Sequence, residues 1–419
     1  MTNDVEVGPV ASTASRVMRV GIAGLGAGGL NALSASPGLA NHPNIKLTAA
    51  ADLRQVALDR FASDFGGETY TSVEAMCASP NVDMVYVVTP NRFHAEHAIM
   101  AAEAGKQVLA DKPMALSLAD CSAMIDAAER NGVRMLIGHS QSLDSAILKM
   151  AEIVRSGELG RPILIQSLYY SEWLYRPRSQ EELDPATMEG SLTLRQGPIQ
   201  VDIVRLLGGG LVRSVRAMTS VADPKRPVDG SYVAYLEFED GTPATLVFDA
   251  YGHFDSAELT FGLGLGGQPR TKETNLGAHR QTRGFPRQQD EWALKDATRY
   301  GGAKARPMVS DAATKHQFFG LTIVDCEHGA IRQKPNGLMI YGEDDWQEVP
   351  VAPELYTKVE LDVMVKAWLE DRPLEYHDAR WGRATTEVCL GILQSAKERR
   401  ELMMSHQTPL PFARSAPSP

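Results

Sequence analysis

Three features of this chain have residue types and spacing suited to work on a small molecule: a glycine cluster, a lysine fixed by a proline, and an arginine at a helix mouth. Gly24-Leu25-Gly26-Ala27-Gly28-Gly29 follows the apolar run MRVGIA and precedes a helical pattern. Glycines there permit a tight turn and let backbone amides approach a pyrophosphate, while the helix N-terminus adds partial positive charge. Asp52 ends the next apolar run, where a carboxylate about 20 residues on can bind a ribose 2′-hydroxyl. The combination predicts a dinucleotide site that prefers NAD, because Asp52 repels the 2′-phosphate of NADP; Arg54 softens that preference. A glycine turn serving only helix–strand packing is the alternative.

Lys112 follows the apolar run QVLAD, so it belongs at the carboxyl edge of a parallel sheet, where cofactor and substrate meet. A general base near neutrality must titrate well below free lysine at ~10.4. An oxidised nicotinamide ring ~4 Å away supplies up to about 4 kcal/mol toward that at an effective dielectric of ~20. Pro113 fixes the chain behind it; a solvated lysine at a strand end is the alternative.

The elements that position these residues follow from periodicity. Between Met18 and Gly138, apolar runs (RVGIAG, KLTAAAD, DMVYVVT, QVLADK, RMLIGH) alternate with helical patterns, which predicts βαβ units and a parallel sheet. Beyond Leu143, runs such as SVRAMTSVAD, GSYVAYLEFEDG and TPATLVFDAYGHF alternate across turn signals, the pattern of an antiparallel sheet with one exposed face. The fold class is therefore α/β: an N-terminal Rossmann domain over 17–141, then an α+β domain over 142–400 with an open, mainly antiparallel sheet. Residues 1–16 read as a mobile arm and 401–419 as a tail, both rich in Ser, Pro and Thr. Residues 262–308 hold no strong period, which predicts an excursion over a subunit contact or a lid.

Bulk properties narrow the function. The chain has 419 residues, 43% of them hydrophobic, enough for two cores; its net charge of −10 argues against nucleic-acid or acidic-membrane partners. Cys77, Cys121, Cys326 and Cys389 are scattered without CxxC spacing, so neither a disulfide framework nor a metal site is expected. The opening MTNDVEVGPVASTAS is acidic and polar, and no run reaches ~18 apolar residues, which predicts a cytoplasmic protein.

The glycine loop, TPNRFHAEHA at 89–98, ADKP at 110–113 and GELGRP at 157–162 occur in an order that resembles the Gfo/Idh/MocA oxidoreductase family. The resemblance covers roughly 18–400 and implies a Rossmann domain, then an open sheet that mediates assembly into a dimer or tetramer. It also implies that Thr89, Pro90, Asn91 and His94 lie beside the nicotinamide and its ribose, and that Lys112 is catalytic. Asp111 stands where the family carries Glu.

One departure bears on the substrate. Many polyol dehydrogenases of the family read Asp-x-Gly-x-His-x-x-Asp where this chain reads Arg195-Gln196-Gly197-Pro198-Ile199-Gln200-Val201-Asp202. Both ionisable groups that would handle a sugar hydroxyl are absent. Pro198 suits a first helical turn, which puts Arg195 and Gln196 at its positive end, a setting for a carboxylate; Ile199 would wall a flat ring. In YYSEWLYRPRSQEELD an extended chain would put Arg176 and Arg178 on one face and Trp173 with Tyr175 on the other. The alternative is an exposed loop whose arginines balance Glu181, Glu182 and Asp184. Together with QVDIVRLLGGG and AYGHFDS, this segment resembles family members acting on phthalate 4,5-cis-dihydrodiols, which implies that His139 and His253 face the pocket. The expected activity is NAD-dependent oxidation of an anionic ring cis-diol to a catechol. The rivals are a dehydrogenase of another polyol, inositol or acidic sugar, and a non-catalytic cofactor-binding sensor.

Overall fold

The computed structural model describes residues 16–34, 39, 42–138, 140–285, 287–305 and 314–410. Strands β1 (Met18–Ala23), β2 (Ile45–Ala51), β3 (Glu68–Tyr70), β4 (Met84–Val87), β5 (Gln107–Asp111) and β6 (Met135–Gly138) form one parallel sheet in the order β3-β2-β1-β4-β5-β6. The order reverses between β1 and β4, the point where ligands bind in doubly wound sheets. β4 is buried along its whole length, as a strand covered on both faces must be. Helices α1 (Ala27–Ser34), α2 (Gln55–Phe65), α3 (Val73–Cys77), α4 (His94–Glu103) and α5 (Leu118–Arg130) connect the strands. α2 buries Ala57, Leu58 and Phe61 on one face and stops at Gly66 in the left-handed region. α5 starts at Ser117, whose hydroxyl accepts the Asp120 amide.

The second domain opens with α6 (Ser145–Ser156), closed by Gly157 with φ 79°. Then come β7 (Pro162–Tyr170), α7 (Gln180–Leu183), α8 (Leu192–Arg195), α9 (Gly197–Leu207), β8 (Val212–Ser220), β9 (Ser231–Phe238) and β10 (Pro243–Asp249). After α10 (Lys272–Arg283) and α11 (Gln288–Ala297) follow β11 (Leu321–Cys326), β12 (Gly329–Lys334), β13 (Gly337–Gly342) and β14 (Trp346–Pro350). The chain continues with α12 (Tyr356–Leu369), α13 (Ala379–Glu398) and β15 (Leu402–Met403). The nine-stranded sheet runs β14-β13-β12-β11-β7-β10-β9-β8-β15 and is antiparallel except between β7 and β10. Its inner face packs on α9 and α13. Outward, Met218, Val233 and Val247 are neighbours across three strands, and Met218 and Val233 are exposed.

The structure departs from the expected layout in three places, the first being the tail expected over 401–419, where Leu402–Met403 pairs with β8 as β15 and Leu402 enters the second-domain core. Helix α12, assigned to the second domain, puts Leu361, Met364, Val365 and Trp368 into the core of the first, alongside Met18, Val20 and Leu109. That i, i+3, i+4, i+7 stripe predicts a helix but not which sheet it covers; each such burial contributes about 1.5–3 kcal/mol. The excursion, which lacked a period, contains two helices. Its end is tied to the first domain: the Tyr300 hydroxyl donates to Asp64 at 2.7 Å, and the Tyr300 carbonyl accepts from the Arg54 guanidinium at 3.2 Å. A Cβ on Gly301 would lie 2.9 Å from the Val56 carbonyl. The excursion thus runs from one domain to the other.

Candidate active site

A cleft of about 640 Å³ lies between the domains. Its floor comes from the carboxyl ends of β1, β4 and β5: Gly24, Gly26, Ala27, Gly28, Thr89, Pro90, Asn91, Asp111 and Lys112 all line it. Gly24 has φ +96°, and a Cβ there would meet the Val88 carbonyl at 2.9 Å. Gly28 faces Val88 and the Asp111 carboxylate, whereas nothing lies within 4 Å of a Cβ on Gly26, which leaves room for a ligand. Leu25 is fully buried in the core and contributes only backbone; its amide donates to Asp52 at 2.7 Å.

Asp52 also accepts the Arg54 amide at 2.8 Å and the Arg54 side chain at 3.2 Å. Arg54 in turn donates to the Leu25 carbonyl at 2.6 Å, so aspartate and arginine together brace the glycine turn. The Asn91 side-chain nitrogen is buried and has no hydrogen-bond partner, an orphan donor at the cleft wall. An open glycine cradle, a carboxylate at its rim and a spare amide donor fit a dinucleotide; Gly24, Gly26, Gly28, Asp52 and Asn91 would hold it.

His94 is buried, with one ring nitrogen 2.8 Å from the Pro113 carbonyl and the other 2.8 Å from that of Thr89. It cross-links the two loops that carry Asn91 and Lys112. Glu189 of the second domain accepts the Asn91 amide at 3.2 Å and the Arg92 amide at 2.9 Å, clamping one loop to the opposite wall.

The Lys112 amine lies in the cleft and donates to the Arg195 carbonyl at 2.6 Å, while its amide donates to Asp111 at 2.9 Å. Burial is the main force lowering its pKa; Asp111 opposes this, and the Arg195 and Arg176 charges add to it. The protein itself therefore favours the neutral amine, the form that can accept a proton, without relying on a cofactor charge alone. Arg195 ends α8 and Gln196 caps α9, with Pro198 in the first turn as its sequence predicts. The Arg195 guanidinium pairs with Glu182. Lys295 of α11 reaches the same carboxylate oxygen at 3.3 Å and Arg178 approaches it at 3.7 Å. Three cations thus surround one carboxylate, which they hold well below the usual carboxylate range against its burial.

Several expected site residues lie elsewhere. Trp173–Tyr175 forms a 3-10 turn, not an extended strand, which breaks the alternation on which the paired arginines depended. Arg176 binds Glu172 at 3.1 Å. Arg178 is buried, stacks 3.7 Å from the Trp173 ring centre and faces Glu182, so the local charge balance read as the alternative holds, though buried. Trp173 is itself buried. Ile199 packs in the second-domain core instead of walling the cleft, because all of α9 is buried. The Gln196 amide donates back to the Arg195 carbonyl at 3.2 Å. His253 is exposed and rests against the His279 ring, at 5.2 Å, rather than in the cleft. His139 falls outside the described residues. Sequence reading missed Glu189, Lys295 and Arg299 as cleft residues and took Glu182 only as a counter-charge. The i, i+4 spacing of Arg178 and Glu182 was a usable signal.

The family model described as an oxidoreductase family with an NAD-binding Rossmann fold matches residues 18–139, and the GFO/IDH/MocA C-terminal domain matches 147–261. The chain is similar to the 1-carboxy-3-chloro-3,4-dihydroxycyclohexa-1,5-diene dehydrogenase of Comamonas testosteroni, with 31% identity over 91% of this chain and 95% of that one. The inositol 2-dehydrogenase of Salmonella typhimurium is 31% identical, but over only 37% of this chain and 46% of its own. The crystal structure of a protein described as a dehydrogenase from Bordetella bronchiseptica RB50 superposes with a TM-score of 0.84 at 34% identity, covering 93% of this chain and all of that one. The glycine cradle, the lysine at the sheet edge and these matches agree: the chain belongs to the Gfo/Idh/MocA family of NAD-binding oxidoreductases.

Proposed function

We propose that the protein oxidises a carboxylated ring cis-diol, of the phthalate cis-4,5-dihydrodiol type, to the corresponding catechol with NAD. The observation that carries this reading is that a part-buried amine and a guanidinium line one cleft: Lys112 Nζ donates to the Arg195 backbone carbonyl at 2.6 Å, and the Arg195 side chain is held beside it by Glu182. A base and an anion-binding group so fixed suit a substrate with a hydroxyl at one end and a carboxylate at the other. The Comamonas relative, whose name describes a carboxylated dihydroxycyclohexadiene, supports the same class.

Lys112 takes the hydroxyl proton through its neutral amine, and burial keeps that form accessible. NAD, when bound, accepts the carbinol hydride. Arg195 holds the carboxylate and so orients the ring; the resulting hydroxy-ketone then enolises, the proton on the neighbouring carbinol carbon being lost and the carbonyl oxygen gaining one, and the aromatic catechol so formed drives the reaction forward. Asp111 fixes the Lys112 backbone. Asp52 supports NAD over NADP, since its carboxylate stands at the cradle rim.

The experiment is a substrate panel. Purified protein with NAD should reduce the cofactor with a higher kcat/KM on the carboxylated cis-dihydrodiol than on inositol or a sugar acid. The reverse ranking favours a polyol dehydrogenase, and no reduction with any of them favours a sensor.

A further inference from the structure

We propose that Lys295, carried by the excursion helix α11, is a substrate-recognition residue that binds a ring carboxylate together with Arg195; this rests on the cis-diol reading above. Three observations lead there. Lys295 lines the cleft with Lys112 and Arg195, although it lies 113 residues from Glu182, which it contacts. Its amine and the Arg195 guanidinium share one oxygen of Glu182, while the other Glu182 oxygen accepts the Ser179 amide at 2.8 Å. Arg178 is committed elsewhere, stacked on Trp173 and bonded to the Trp173 carbonyl.

Glu182 therefore cannot neutralise its surroundings. Arg178, Arg195 and Lys295 carry three positive charges against its one, and the two with access to the cleft are Arg195 and Lys295. Beside Glu182 the cations therefore outnumber the carboxylate, and such a local excess in a largely desolvated wall is costly unless an anion completes it. A substrate carboxylate supplies that anion, and Glu182 orients both cations before it arrives. A ring with two adjacent carboxylates would offer one to each of the two cations that line the cleft. The excursion would thus act in recognition, as well as joining the domains through Tyr300.

The test uses Lys295→Met and Lys295→Arg in the full chain. With the carboxylated cis-dihydrodiol, Lys295→Met should raise KM at least 10-fold with kcat little changed, Lys295→Arg should restore most of the loss, and KM for an uncharged benzene cis-dihydrodiol should stay within twofold of wild type. Equal KM changes on both substrates would overturn the assignment. If wild type oxidises neither diol, the reaction reading fails by itself, and calorimetric titration of phthalate into the protein with NADH still decides on Lys295. A 10-fold weaker Kd in Lys295→Met supports it; an unchanged Kd overturns it.

Discussion

Removing the Lys295 ammonium should change how stability depends on pH, in a direction and size set by its surroundings. Burial lowers its pKa from 10.5 to about 8; Glu182 opposes that, while Arg195 and Arg178 add to it. In the unfolded chain a lysine keeps its proton to ~10.4. Between pH 8 and 10.4 the unfolded state therefore binds more protons, so this residue makes stability rise with pH across that window and adds nothing below it. A drop from 10.5 to about 8, at ~1.4 kcal/mol per pH unit, amounts to about 3 kcal/mol. Urea unfolding of ligand-free wild type and Lys295→Met at pH 7, 8, 9 and 10 measures it, since titrating groups remote from Lys295 cancel in the difference. Wild type should gain about 2–3 kcal/mol on the variant between pH 7.5 and 10. A difference that stays constant across the series would refute the buried-cation reasoning.

Other consequences are direct. Arg195→Ala should raise KM for a carboxylated cis-dihydrodiol by ~10-fold or more, the worth of a charge-assisted bond, and leave an uncharged diol nearly unaffected; parallel kinetics on the two substrates check this. Gly24→Ala combines a φ of +96° with a 2.9 Å contact to the Val88 carbonyl, so NAD binding measured by fluorescence titration should weaken severely while the fold, followed by circular dichroism, persists. The apolar row Met218–Val233–Val247 on the outward sheet face suits a second copy of the chain, so Val233→Glu should lower the mass measured by light scattering. An unchanged mass would remove that face from assembly.

The first domain was legible because buried parallel strands read as unbroken apolar runs and the glycine loop has a local backbone reason. Lys112 was legible because the end of QVLAD fixes its place on the sheet edge. The remainder depends on contacts between distant residues. Helix α10 buries only Asn275, so KETNLGAHRQTR shows no apolar stripe to find. α12 advertised a helix but not its host, and the short hairpins β11–β14 went unassigned. Arg178 was misplaced because period-2 reasoning needs an extended backbone, and Trp173–Tyr175 turns instead. No spacing rule brings Lys295 to Glu182.

The central claim is that the Lys112 amine is the base. Lys112→Met, assayed for NADH formation with saturating NAD and carboxylated cis-dihydrodiol, should lose about 10²–10⁴ in kcat while its NAD Kd, measured in parallel, stays within twofold. Turnover near the wild-type rate with the cofactor bound normally would contradict the account.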